Sequence, residues 1–172
     1  IVNIGADTTE ISVISMGGIV VSRIIKLGGN NIDQMICDVV KRRYNIYIGL
    51  RTAEKIKIAL ADAIYSEDEN NEDDILYVFG RNVITGLPSE RAVAKDTICE
   101  AIKPFFDEML DSIKTILERT PPELSADILE TGMYLTGGSA SIRNLDKLIA
   151  QETDLKVNTC LLYTSDAADD LI

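Results

Sequence analysis

The residues of this chain that could do chemistry are gathered in three short stretches. The first is Asn3-Ile4-Gly5-Ala6-Asp7-Thr8-Thr9-Glu10, set between β-rich segments. Ile1 to Ile4 reads as a strand and Ile11 to Ser15 alternates as a second, so the residues between them form a tight hairpin. Its tip gathers backbone N–H groups and two threonine hydroxyls, which suits a phosphate chain, because unpaired amide donors in a turn make an anion-binding concavity. An ordinary hairpin turn explains the same residues, and only a second glycine loop aimed at the same point favours phosphate. Such a loop exists. Met133 to Thr136 reads as a short buried strand that delivers Gly137-Gly138-Ser139-Ala140 into a helix predicted from Ser141 to Ala150. Glycine there lets a ligand approach the backbone, and a helix start offers free N–H groups and the positive end of its dipole. A sharp turn that merely packs a helix on a sheet is the alternative. The third stretch is Glu54-Lys55-Ile56-Lys57, where Glu54 and Lys57, three apart on a helix, share a face. A surface ion pair is the plain reading of those two.

Composition narrows the chemistry. Histidine is absent, which removes a Ser-His-Asp triad, a Cys-His nucleophile and most catalytic zinc sites from this segment. A formal charge of −11 argues against nucleic acid, whose phosphates draw on clustered Lys and Arg. Cysteines at 37, 99 and 160 show no paired spacing, as in a reducing cytoplasm. The 172 residues, 46% of them apolar, are enough for one domain or two small lobes. No apolar run approaches the ~20 residues of a membrane span, so the sequence predicts a soluble segment. A chain that opens on strand residues, with neither an initiator Met nor a signal peptide, reads as a piece of something longer. Its end, from Cys160 to Ile172, resembles the translation of a sequencing-library adapter and is set aside as a non-native tail.

The elements that must position these stretches follow in order. Met16-Gly17-Gly18 turns the chain into a third strand, Ile19 to Lys26, which completes an antiparallel meander. Leu27-Gly28-Gly29 stops it, and helical spacing of Ile32, Met35, Ile36, Val39 and Val40 predicts a helix over 31–44. Lys41, Arg42 and Arg43 complement its C-terminal dipole. A second helix is expected from Arg51 to Ile64, followed by a solvated loop where Ser66 to Asp74 carries six acids. Ile75 to Asn82 and Val83 to Ala94 read as two strands, with the turn around Gly80-Arg81-Asn82 and an interruption at Thr85-Gly86-Leu87-Pro88. Asp96 caps a long helix in which Ile98, Ile102, Phe105, Met109, Ile113 and Ile116 recur, and Pro104 should kink or break it. Thr120-Pro121-Pro122-Glu123 starts another, running to about Glu130.

Several blocks in this order resemble MreB, the bacterial member of the actin-fold ATPases. They are the first hairpin, Arg51-Thr52-Ala53-Glu54-Lys55-Ile56-Lys57-Ile58, Thr85-Gly86-Leu87-Pro88, Thr120 to Ile128, and Leu135-Thr136-Gly137-Gly138. The likeness runs from Ile1 to Asn158. It implies an α/β fold, the second lobe of an actin-like ATPase, with a mixed sheet flanked by helices and a small α+β inserted subdomain. Residues 1–29 and 96–159 would form the nucleotide-binding subdomain, 30–95 the insertion and 160–172 the appended tail. The implied cofactors are ATP and Mg²⁺. Gly5, Ala6, Asp7 and Thr8 would lie against the β- and γ-phosphates with Thr9 beside them, and Thr8 would help position the attacking water. Glu54 would accept the ribose hydroxyls and Lys57 would lie along the nucleoside, with Lys55 and Ile56 on the same stretch. Gly137, Gly138, Ser139 and Ala140 would pass beside the α-phosphate and adenosine.

The chain departs from that family at its first loop, where Asp-Ile-Gly-Gly-Gly-Thr-Thr-Glu is usual. Asn3 stands where a carboxylate helps to hold hydrated Mg²⁺, and Ala6 and Asp7 replace glycines. A required positive φ at either would cost on the order of 1 kcal/mol, and Asp7 adds charge beside the phosphates unless it takes over the metal. The resemblance implies an ATP-binding, filament-forming cytoskeletal protein that organises cell-wall synthesis and cell shape. Its partners would be other copies of itself and membrane-embedded elongation proteins. It would act at the inner face of the cell membrane, reached through a first half absent here, which also holds the other phosphate loop and a catalytic Glu. An isolated second half is expected to hydrolyse essentially nothing. A non-hydrolysing MreB paralogue, a small-molecule kinase and a chaperone-type ATPase domain are the alternatives.

Overall fold

A computed structural model describes residues 1–66 and 74–160. In chain order the elements are β1 (Val2–Ile4), β2 (Thr9–Ser15), β3 (Gly18–Ile25), α1 (Gly29–Tyr44), β4 (Ile46–Tyr47), α2 (Leu50–Leu60), β5 (Ile75–Asn82) and β6 (Pro88–Ala94). There follow α3 (Lys95–Arg119), α4 (Pro122–Thr131), β7 (Met133–Thr136), a 3₁₀ turn at Gly138–Ser141, α5 (Leu145–Thr153) and β8 (Val157–Cys160). They divide into two compact units. Among the described residues, one comprises Ile1–Gly29, Met109–Ser141 and the chain from Asp146 to Cys160; the other comprises Asn30–Glu108 and Ile142–Leu145. The division falls inside α3, between Glu108 and Met109.

The first unit is built on a five-stranded mixed sheet in the order β3-β2-β1-β7-β8. β1, β2 and β3 form the antiparallel meander expected from their alternation, whereas β7 runs parallel to both β1 and β8. Alternation along β1 buries Val2 and Ile4 and leaves Asn3 exposed. Ile11, Met133 and Leu135 join the buried set from the sheet, as do Met109, Ile113 and Ile116 from α3. Each of these large side chains contributes roughly 1.5–3 kcal/mol by leaving water. The second unit carries a three-stranded antiparallel sheet, β4-β5-β6, with Ile32, Ile36 and Val40 of α1 and Ala53, Ile56 and Leu60 of α2 buried.

Several expectations needed correcting. α2 stops at Leu60, not Ile64, because Ala61 turns extended and Asp62 forms a parallel bridge with Arg143. β6 starts at Pro88, not Val83: the Asn82 Oδ1 accepts the N–H groups of Ile84 and Thr85 at 2.8 and 3.0 Å, so 83–87 become the turn. β4 is an added strand, too short for periodicity to reveal. α3 passes Pro104 without a break; Glu100, whose carbonyl loses its partner four residues on, is exposed, so water can serve it. Asp96 lies in the first turn of α3 and not ahead of it. Most of the acidic run lies at 67–73, outside the described residues. Cys160, read as the start of the tail, is the last residue of β8, opposite Thr136.

Candidate functional site

The first unit brings two of the three stretches together. β1 and β2 pair from Val2↔Ile11 to Ile4↔Thr9, so residues 5–8 form the hairpin tip. Gly5 holds that tip from inside: its N–H donates to the Thr8 carbonyl at 2.9 Å, and its own carbonyl accepts the Gly29 N–H at 2.9 Å. Its amide is therefore used by the turn. Thr9 is fully buried, and its hydroxyl donates to the Leu27 carbonyl at 2.6 Å, so it anchors the loop and does not face outward. Ala6, Asp7 and Thr8 are the exposed members. Neither Ala6 nor Asp7 has a positive φ, so the replacement of glycine carries no left-handed strain. The loop rests on Gly28, where a Cβ would stand 2.5 Å from the Ala6 carbonyl oxygen. Sequence reading took Gly28-Gly29 only as a strand stop.

The second glycine turn leaves β7 beside the first. β7 lies parallel to β1 with Asn3 opposite Thr136, so the two loops emerge from the same, C-terminal ends of neighbouring parallel strands. Ligands of α/β sheets gather at that edge, where connections diverge. Gly137 has φ +97 and crosses β1 so closely that a Cβ would stand 2.2 Å from the Ile4 carbonyl oxygen. Gly138 is the opposite case: a Cβ there would meet nothing within 4 Å. Ser139 and Ala140 are buried. The expected helix start is a 3₁₀ turn, Gly138–Ser141, and α5 begins only at Leu145, so the dipole of a full helix does not act directly at the glycines. Asn3 sits in a polar row, with Glu10 opposite it on β2 and Thr136 opposite it on β7. Ser12 Oγ donates to Glu10 Oε1 at 3.3 Å.

The third stretch lies on α2 in the second unit. Glu54 and Lys55 are exposed, while Ile56 is wholly buried and belongs to the core. Lys57 is drawn inward: its Nζ lies 2.9 Å from Asp33 Oδ1 on α1, with both side chains nearly covered. The surface pair with Glu54 is thus replaced by a buried pair that sequence reading missed. The signal was present, since Asp33 falls in the apolar spacing of Ile36 and Val40. Among the described residues no three carboxylates or cysteines gather as a metal cluster. Burial pushes the Cys99 thiol up to about 11, which makes it a poor nucleophile.

A mixed sheet with two glycine-bearing loops at the ends of adjacent parallel strands, one backed by a glycine pair, defines a lobe of the actin-like fold. The chain spans 92% of itself and 47% of the crystal structure of MreB5 of Spiroplasma citri bound to ADP, with TM-score 0.85 and 35% identity. It is also 42% identical over 157 residues to the cell shape-determining protein Mbl of Bacillus cereus, covering 91% of this chain and 46% of that relative. A MamK double helical filament matches at TM-score 0.72 and 21% identity, over 92% of this chain and 48% of that one, a likeness of fold alone. The MreB/Mbl protein family matches residues 1–164, and the chain belongs to that family. It spans about half the length of the relatives it matches.

Proposed function

We propose that this chain is the second half of an ATP-binding, filament-forming actin-like protein that organises cell-wall synthesis and cell shape. The observation that carries the reading is the pairing of the two loops at one edge of the sheet, with Gly138 open to a ligand and Ala6, Asp7 and Thr8 exposed. Close backbone approach and hydroxyl donors are what a polyphosphate needs. The ADP in MreB5 supports the same assignment. In the first unit, Ala6 to Thr8 contact the terminal phosphates and Gly138 the inner end of the nucleotide, with Gly5, Thr9 and Gly137 shaping the loops. In the second unit, Glu54 accepts ribose hydroxyls and Lys57 serves chiefly to neutralise Asp33. Mg²⁺ is compatible with the oxygen donors of Asn3 and Asp7, and it would be held mainly by phosphates and water. Self-association into filaments, elongation proteins in the membrane as partners and a place at its inner face belong to the same proposal.

One observation favours a non-hydrolysing variant of this function. Asn3 is neutral where the family usually has a carboxylate, and Asp7 adds charge at the loop tip. The test is sedimentation of the protein expressed with the remainder of its reading frame. Polymer that pellets with ATP, with phosphate release measured in parallel, supports the filament reading and decides whether hydrolysis accompanies it. A monomer at all nucleotide concentrations sinks it.

A further inference from the structure

Residues 142–145 belong to the second unit although the chain on both sides of them belongs to the first. Their attachment centres on Asp62, a carboxylate only 9% exposed. Its Oδ1 accepts the Asn144 side-chain amide at 2.8 Å and the Ile64 N–H at 3.1 Å, and its Oδ2 faces the Lys95 ammonium at 3.4 Å. Beside it the Ala63 N–H donates to the Arg143 carbonyl at 2.9 Å, which completes a one-residue parallel bridge. Lys95 also faces Asp74 at 3.7 Å and lies 5.2 Å from the centre of the Tyr65 ring. Asn144 has φ +58, a conformation that asparagine tolerates better than most residues, so one side chain supplies both the turn and the donor.

We infer that Asp62 is a positioning residue, clamping through Asn144 the stretch that follows the second glycine turn onto the end of α2. The stretch begins one residue after the 3₁₀ turn Gly138–Ser141, and α2 is the helix that carries Glu54 and Lys57. α2 bears Glu54, assigned to the ribose, so the consequence for the nucleotide rests on that reading. The carboxylate suits this work: it is buried, hydrogen-bonded twice at Oδ1 and ion-paired at Oδ2, a combination that holds one geometry because every departure leaves a buried charge unserved. Its role is to fix a loop and not to touch a ligand.

The test uses the protein expressed with the remainder of its reading frame and two variants. Asn144→Gly keeps the positive φ and deletes only the side-chain bond. Asn144→Asp keeps a residue that tolerates that φ but removes the donor and sets a second carboxylate against Asp62. Asn144→Gly should accelerate amide exchange at Ala63 at least tenfold and weaken ADP binding about fivefold, the size of one lost hydrogen bond. Asn144→Asp should do both to at least the same degree. Unchanged affinity in either variant overturns the positioning role. If the unaltered protein binds no ADP, the nucleotide reading fails instead. Exchange at Ala63 then decides alone whether the clamp exists: acceleration supports it, and no change overturns it.

Discussion

The two glycine turns of the first unit look alike in sequence and differ in what their residues are for. At Gly137 the backbone is left-handed and passes within a Cβ's reach of Ile4, so glycine is demanded by the sheet itself. At Ala6 and Asp7 the backbone is ordinary, and glycine is not demanded at all. One signature therefore mixes glycines that the fold demands with glycines that it does not. Gly138, where a Cβ would meet nothing within 4 Å, belongs to the second kind. A change from glycine at the first loop is then informative about ligand chemistry and silent about folding.

The largest effect should come from Gly137→Ala. The left-handed φ and a methyl carbon driven against the β1 backbone should together cost about 3 kcal/mol or more, read as a fall in the midpoint of urea unfolding. Gly138→Ala should move that midpoint by less than about 0.5 kcal/mol, yet weaken nucleotide binding. Equal destabilisation by the two would erase the distinction between the turns. Gly28→Ala comes next, at roughly 2 kcal/mol, because its methyl would press on the Ala6 and Asp7 backbone, 2.5 to 2.7 Å away. Thr9→Val should cost about 1–2 kcal/mol, since it keeps the shape but strands the buried Leu27 carbonyl. Denaturant unfolding measures both. A stability loss at Thr9 near zero would mean that the hydroxyl is not the anchor that its 2.6 Å bond suggests.

What the sequence revealed and concealed follows range of interaction. The meander and α1 were legible because period-two and period-3.6 patterns are local, and Val2, Ile4, Ile32, Ile36 and Val40 are buried as their spacing demands. The two loops were legible because glycine next to a strand end is itself a local statement. The Asp62–Asn144 bond spans 82 residues and no local pattern announces it. Gly28 was misjudged for the same reason, since what it touches is another loop. Thr9 and Ile56 were placed in the site because a motif is contiguous, whereas a strand and a helix send consecutive side chains in different directions. Asp33 was the avoidable miss. An acid in the apolar stripe of a helix calls for a partner, and Lys57 on the next helix is the cation that meets it.

The most discriminating change is Asp7→Gly, which removes the carboxylate from the exposed tip. Folding stability should fall by about 1 kcal/mol or somewhat more, since glycine frees the unfolded chain and the interaction that Asp7 makes in the fold is given up. Nucleotide affinity should move the other way. A carboxylate several ångströms from a polyphosphate in a water-exposed setting repels it by on the order of 1 kcal/mol, so without divalent cation the variant should bind ATP about fivefold more tightly at low salt. The gain should shrink as salt screens the charge. Titration of ATP with and without Mg²⁺ separates the two roles open to this residue. Tighter binding in both conditions identifies Asp7 as a repulsive charge. Weaker binding confined to Mg²⁺ identifies it as the oxygen donor that takes over where Asn3 has no charge to offer, and the first loop would then be rebuilt around its cation, not impaired.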